Sequence, residues 1–175
     1  MNDFTNDLIF LDFEASSLAA DSWPVEIGLS WLADDGAIES HARLIRRHPT
    51  WSMDAWSEDS AAVHAIPYMT LEKGLEASEA VEWFQSTTRG RRLCSDAPRF
   101  ETMWLRKLLE TSCDPRTVDR NLARVQNVHD LLKPMLPPRA LGAYYERLAS
   151  QRAPHRAGPD SARYASALRA AFQAR

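Results

Sequence analysis

The sequence predicts an α/β protein, a sheet flanked by helices. Two patterns point there: three strand-like segments come first, and strand and helix patterns alternate after them. Bulk composition agrees, because 175 residues with 45% hydrophobic content can bury one good core and are short for two. One domain over 1–175 is the expectation.

Apolar alternation and β-branched residues give strands near 7–13, 25–33 and 37–46, with Asp34-Asp35-Gly36 as the turn between the second and third. These three form an antiparallel meander. A loop rich in Pro, Trp, Ser and Asp runs from His48 to Ser60, and a helical pattern follows around Leu75, Val81 and Phe84. Arg92 to Ser95 reads as a short strand, and 101–111 as a helix carrying Met103, Trp104, Leu105, Leu108 and Leu109. Val125 to Val128 supplies a fifth strand. Leu141, Tyr144, Tyr145 and Leu148 mark another helix, and Ala162, Ala165, Leu168 and Phe172 mark the last. Proline suits a first helical position and glycine its approach, which starts that helix near Pro159, with Asp160 in its first turn and His155 on the loop before it. The sequence shows no internal repeat.

Net charge is −3 and the isoelectric point about 6.0, which excludes the strongly basic footprint of a protein that coats nucleic acid. An enzyme gripping a few nucleotides at one end stays compatible, because clustered acids lower the net charge. Cys94 and Cys113 are too few for a zinc site or a disulfide framework and suit a reducing compartment. The stretch from Met1 to Asp7 is polar and acidic, with neither a secretory signal nor a membrane span, so a cytoplasmic location and no membrane partner are expected.

The chemistry begins where the apolar run Leu8-Ile9-Phe10-Leu11 meets Asp12-Phe13-Glu14. Side chains alternate along a strand, so Asp12 and Glu14 project from one face. Two anions side by side repel. Solvation, a shared proton or a hard divalent cation relieves that repulsion. The ordinary alternative is a strand running into a wet loop with surface acids. At the other end, His155-Arg156-Ala157-Gly158-Pro159-Asp160 adds a third carboxylate and a titratable base. Alone, Asp160 is a favourable charge at a helix start and His155 a loop residue. Together with Asp12 and Glu14 they make the inventory of a metal-assisted phosphodiester hydrolase.

These residues resemble the DnaQ-like, or DEDDh, 3'-5' exonucleases of the ribonuclease H-like fold. That family opens on a strand-borne DxE, starts a mid-chain helix with an aromatic-Asp pair, and closes on H-x4-D. The segment DFE at 12–14 and HRAGPD at 155–160 match the first and last elements. Pro24-Val25-Glu26-Ile27-Gly28 resembles the second-strand segment, and Ala62-Val63-His64-Ala65-Ile66 the family's VHGI turn. The resemblance covers 8 to about 172 and implies a five-stranded mixed sheet with its first three strands antiparallel.

The middle element departs from the pattern. Glu101 follows Phe100 where relatives carry Asp, keeping the charge but moving it one methylene outward. Asp96, at the end of the strand from Arg92, is the alternative third carboxylate; a turn residue beside Pro98 and a first-turn acid are the bland accounts of Asp96 and Glu101. By the resemblance, Asp12, Glu14, Glu101 and Asp160 hold two Mg2+ or Mn2+ ions and His155 is the general base. Ala15, Ser16 and Leu18 line the base and sugar pocket, and His64 lies near the substrate entrance. The implied partner is the 3' end of single-stranded DNA or RNA.

Other residues carry less. Trp51 and Trp56 could stack on unpaired bases, although aromatics ordinarily pack in the core. Arg89, Arg91 and Arg92 suit a solvated edge better than a phosphate site. Loops bearing Trp and Arg offer a homodimer surface. Two further readings stand beside the exonuclease: a catalytically weakened nucleic-acid or protein interaction module on the same fold, and a different metal-dependent phosphoesterase acting on mononucleotides or linear dinucleotides. Glu101 and Ala65 leave room for the module. The spacing of the four catalytic-type residues at the two ends of the chain argues for the enzyme.

Overall fold

Alternation along the first strand sets the architecture of this computed structural model, which describes residues 7–174. The reading of the N-terminus therefore falls, apart from Asp7, outside the described residues. Strand β1 (Leu8–Ala15) sends Ile9, Leu11 and Phe13 to one side of the sheet and Leu8 and Phe10 to the other, and each side has its own core. Leu8, Ile9, Phe10 and Leu11 are at most 2% exposed. At roughly 1.5–3 kcal/mol for each fully buried side chain, they anchor the strand firmly enough to carry two carboxylates into a half-buried position.

Strands β2 (Pro24–Leu32) and β3 (Ile38–Leu44) complete the antiparallel meander, while β4 (Arg92–Ser95) and β5 (Val125–Asn127) add in parallel. The five-stranded sheet runs β3-β2-β1-β4-β5, the mixed arrangement expected from the sequence. Helices α1 (Glu58–His64), α2 (Ala77–Thr88), α3 (Pro98–Leu109), α4 (Pro115–Leu122), α5 (Val128–Leu132), α6 (Pro138–Ala149) and α7 (Ala157–Gln173) surround it. Phe84 of α2 and Leu105 and Leu108 of α3 join the Ile9 side, whereas Tyr144 of α6 and Leu168 of α7 join the Leu8 side.

Three boundaries differ from the sequence expectation, each for a local reason. The segment read as a loop up to Ser60 holds the start of α1, which forms because the Ser57 hydroxyl accepts the Ser60 N–H at 3.3 Å, with Glu58 and Asp59 in the first turn. Leu75 lies outside the helix assigned to it and bridges Ile45 beside the sheet. Helix α3 begins at Pro98 rather than Glu101, since proline needs no donor at a first turn. Helix α4 was not foreseen, although Asp114-Pro115 spells its start: the Asp114 carboxylate accepts the N–H groups of Arg116 and Thr117 at 3.0 and 3.1 Å.

Trp51 is 3% exposed and stacks on Trp23, with ring centroids 5.9 Å apart, and Trp56 also stacks on Trp23 at 5.7 Å. These tryptophans pack rather than await bases. Among the described residues no helix is long and apolar enough to cross a membrane.

Candidate active site

Asp12 and Glu14 continue the face that Leu8 and Phe10 begin, which is the face covered by α7. They therefore point at the first turn of α7, where Asp160 waits. One carboxylate oxygen from each of Asp12, Glu14 and Asp160 lies within 4.8 Å of the others. Residues about 150 positions apart thus converge because a strand alternates and a helix starts above it.

The start of α7 is fixed by close backbone approach. A Cβ on Gly28 of β2 would sit 2.1 Å from the carbonyl carbon of Ala157, so only glycine admits the helix there. Asp160 Oδ2 accepts the N–H of Arg156, the residue preceding the helix, at 3.1 Å, and Oδ1 accepts from the Arg163 guanidinium at 3.3 Å. His155 lies just outside the helix in the left-handed region (φ 53°), exposed on the wall of the same cavity.

Electrostatics at this spot are unfavourable for three bare anions. Burial, then the charges of Glu14 and Asp160, push the Asp12 carboxyl well above its usual pKa. Glu14 is pushed up to about 8 by burial, then by Asp160 and Glu26, with Arg156 opposing. Burial raises Glu101 well above its usual value, reinforced by Asp12, Asp96 and Glu14 and opposed by a hydrogen bond from the Phe13 N–H. Glu101 is 3% exposed, and its Oε2 has no hydrogen-bond partner. That pattern, excess buried negative charge with an orphaned oxygen beside it, suits a hard cation bound by oxygen.

Glu101 nevertheless stands outside the converging trio. Its tie to Phe13 has a topological cause: β1 pairs with β4 only through Phe10, so the N–H of Phe13 lies beyond the end of that ladder. Asp96 is exposed at the end of β4, lines the cavity, and accepts from the Tyr164 phenol.

The cavity is open and measures about 610 Å³. Ala15 and Leu18 line it, Leu18 being 74% exposed on its rim. Ser16 does not reach it. A register shift between Glu14 and Ala15 ends the alternation, and Ser16 turns inward, its hydroxyl accepting the Trp23 N–H at 3.0 Å. Ser17 lines the cavity instead. His64 forms part of the wall but is only 2% exposed; its Nδ1 accepts the Ile66 N–H at 3.1 Å, and burial lowers its pKa.

Several wall residues received no role from the sequence. Phe100 is 38% exposed and stacks on Trp104 at 5.6 Å, whose indole N–H donates to Ser22 at 2.9 Å. Val63 flanks it. Arg163 was legible from its position three residues after Asp160, one helical neighbour along. Glu26 lay within a quoted motif and was assigned nothing.

No protein-family model matches this sequence, and no curated protein matches it either. Solved structures do. An exonuclease I from Methylocaldum szegediense superposes with a TM-score of 0.66 at 15% identity, covering 95% of this chain and 40% of that one. Exonuclease I of E. coli in complex with a dT13 oligonucleotide gives 0.64 at 12% identity, with 94% and 40% covered. Cell-death related nuclease 4 gives 0.62 at 16% identity, with 95% and 63% covered. The chain spans less than two thirds of the length of each. At such identities the likeness concerns fold, and the chain has the ribonuclease H-like fold of DnaQ-like exonucleases.

Proposed function

We propose that this protein is a metal-dependent 3'-5' exonuclease that hydrolyses phosphodiester bonds at the 3' end of single-stranded nucleic acid or short oligonucleotides, releasing nucleoside 5'-monophosphates. One observation carries the reading: carboxylate oxygens of Asp12, Glu14 and Asp160 meet within 4.8 Å beside a cavity that His155 also lines. The exonuclease fold of the structural neighbours supports a nuclease at the coarser level.

Asp12, Glu14 and Asp160 hold the cation, with Glu101 or Asp96 as the fourth acid. All donors are carboxylate oxygens, which favours Mg2+ or Mn2+ over zinc. Such ions, when bound, neutralise the phosphate and acidify water. His155 takes a proton from the attacking water, whose oxygen bonds to phosphorus. The bond from phosphorus to the 3'-oxygen of the penultimate nucleotide breaks, and that oxygen leaves as a hydroxyl by taking a proton from solvent. Ala15, Leu18 and the Phe100 ring offer an apolar wall for the terminal nucleoside, and His64 backs it.

The test uses 5'-labelled single-stranded DNA and RNA, with Mg2+, Mn2+ or chelator, and free or blocked 3' ends. Metal-dependent shortening from the free 3' end is expected. His155→Ala lowers kcat by about 10²–10⁴-fold with metal affinity nearly unchanged, whereas Asp12→Ala loses both. Full activity in His155→Ala removes the proposed base.

A second reading, the weakened interaction module, draws on Glu101, whose carboxylate engages the Phe13 backbone outside the trio. Oligonucleotide binding without cleavage in either metal selects it.

A further inference from the structure

Strand β2 delivers a buried carboxylate for which the hydrolysis has no direct use. Glu26 is 3% exposed and stands opposite Glu14 in the β1/β2 pairing. It accepts from Arg156 Nε at 3.0 Å, from Arg156 Nη2 at 2.5 Å and from the backbone N–H of Ala157 at 2.9 Å. Both donor residues follow His155 directly. The Arg156 N–H in turn binds Asp160 Oδ2, so one carboxylate on β2 holds both the residue that separates the candidate base from α7 and the first residue of that helix. Two guanidinium bonds and one backbone bond fix a carboxylate far more tightly than a single contact would.

Arg156 does not line the cavity. Its side chain is 42% exposed while that of Glu26 is 4% exposed, which places the pair behind the site rather than in it. The alternative is an ordinary structural ion pair that ties a helix start to a sheet. Here the left-handed backbone of His155 immediately precedes the clamped residue, and any shift of Arg156 moves His155 on one side and the partner of Asp160 on the other.

We propose that Glu26 is a positioning residue: with Arg156 it sets the distance between the strand carrying Asp12 and Glu14 and the turn carrying His155 and Asp160. The kinetic part of this proposal rests on the hydrolase reading above. A misplacement of about 1 Å at such a centre costs up to about 100-fold in rate, so a modest slackening of the turn is enough to be read.

The experiment compares the wild-type chain, Glu26→Gln, Arg156→Gln, His155→Ala and the Glu26→Gln/His155→Ala double variant. Cleavage of a 5'-labelled single-stranded oligonucleotide is followed in Mn2+, and Mn2+ affinity is read from the free-ion paramagnetic resonance signal. Glu26→Gln is expected to lower kcat by about 10–100-fold with KM little changed, and to weaken Mn2+ binding because Asp160 is no longer held. At saturating Mn2+, which offsets the weaker metal binding, kcat in the double variant falls no further than in His155→Ala alone, since the remaining effect runs through that imidazole. A merely structural role gives losses that multiply. Arg156→Gln, at a half-exposed position, reproduces the loss and carries the test if Glu26→Gln does not fold. Wild-type kcat and Mn2+ affinity in both single variants overturn the proposal, as do multiplying losses. If wild type binds Mn2+ and cleaves nothing, the hydrolase reading fails alone, and unchanged Mn2+ affinity in the variants then overturns the positioning role separately.

Discussion

Glu101 is the residue on which the strength of the centre turns. Its carboxylate reaches the Phe13 N–H, one oxygen stays unpartnered, and the trio of Asp12, Glu14 and Asp160 closes without it. An aspartate there is one methylene shorter. Glu101→Asp releases the strand N–H and returns the charge toward the position that the family resemblance assigns to it. The expected outcome is a several-fold higher single-turnover rate in Mn2+, at a stability cost of about 1–3 kcal/mol for the freed backbone group. Single-turnover cleavage and urea denaturation measure the two halves. A lower rate would instead hand the fourth-acid role to Asp96, which Tyr164 already orients. Residue-scale reading from sequence named Asp12, Glu14 and Asp160, whose carboxylates the fold brings together, because alternation and capping rules are local. It went astray at Ser16, since a register shift after Glu14 comes from the pairing with β2, and no property of Ser16 itself announces that shift.

At the scale of elements, the contact between β2 and α7 holds the two halves of the site together. Besides the Glu26 clamp, Ser161 and Ser30 share a hydrogen bond of 2.8 Å, and from neighbouring β3 Ser40 donates to the Gly158 carbonyl at 3.1 Å. Gly28 is the point of closest approach. Gly28→Ala places a methyl 2.1 Å from Ala157 backbone atoms, which no side-chain adjustment relieves, so the helix must lift from the sheet. A loss of about 3 kcal/mol or more is expected in chemical denaturation, as for overpacking at its upper end, together with weaker Mn2+ binding because Asp160 rides on the displaced turn. Retained stability with wild-type Mn2+ affinity would show that the helix start is softer than its packing implies. The sequence made most of these elements legible: the meander by its turn, the last helix by Gly158-Pro159, and β4 by its short apolar run. The starts of α1 and α4 were written in Ser57 and in Asp114-Pro115, but helices of seven and eight residues give only two turns of pattern, which hid them. The β2/α7 contact could not be read in advance, because a glycine in a strand signals close approach without naming what approaches.

The whole molecule feels the centre through pH. Glu14 has an ordinary pKa of 4.5 and is pushed up to about 8 in the fold, and Asp12 and Glu101 shift in the same direction, all three led by burial. The folded chain therefore binds these protons more tightly than the unfolded chain does. Stability from that preference is full below the unfolded pKa and is lost as pH rises through the folded one, so metal-free protein should weaken between about pH 4.5 and about pH 8 as carboxylates are forced to ionise together. In a chain of this size each kcal/mol corresponds to about 2–4 °C in the melting temperature, which makes the decline readable by calorimetry in chelator. A divalent cation binds the ionised carboxylates and removes the penalty by mass action. The melting temperature gained on adding Mn2+ or Mg2+ should consequently grow as pH rises from 5 to 8, the opposite of a fixed structural ion pair, whose contribution would not follow these groups. Asp12→Asn provides the control: one charge fewer flattens the metal-free curve and removes most of the metal-induced gain. Melting curves that coincide with and without metal at every pH would mean that these acids meet without sharing a cation.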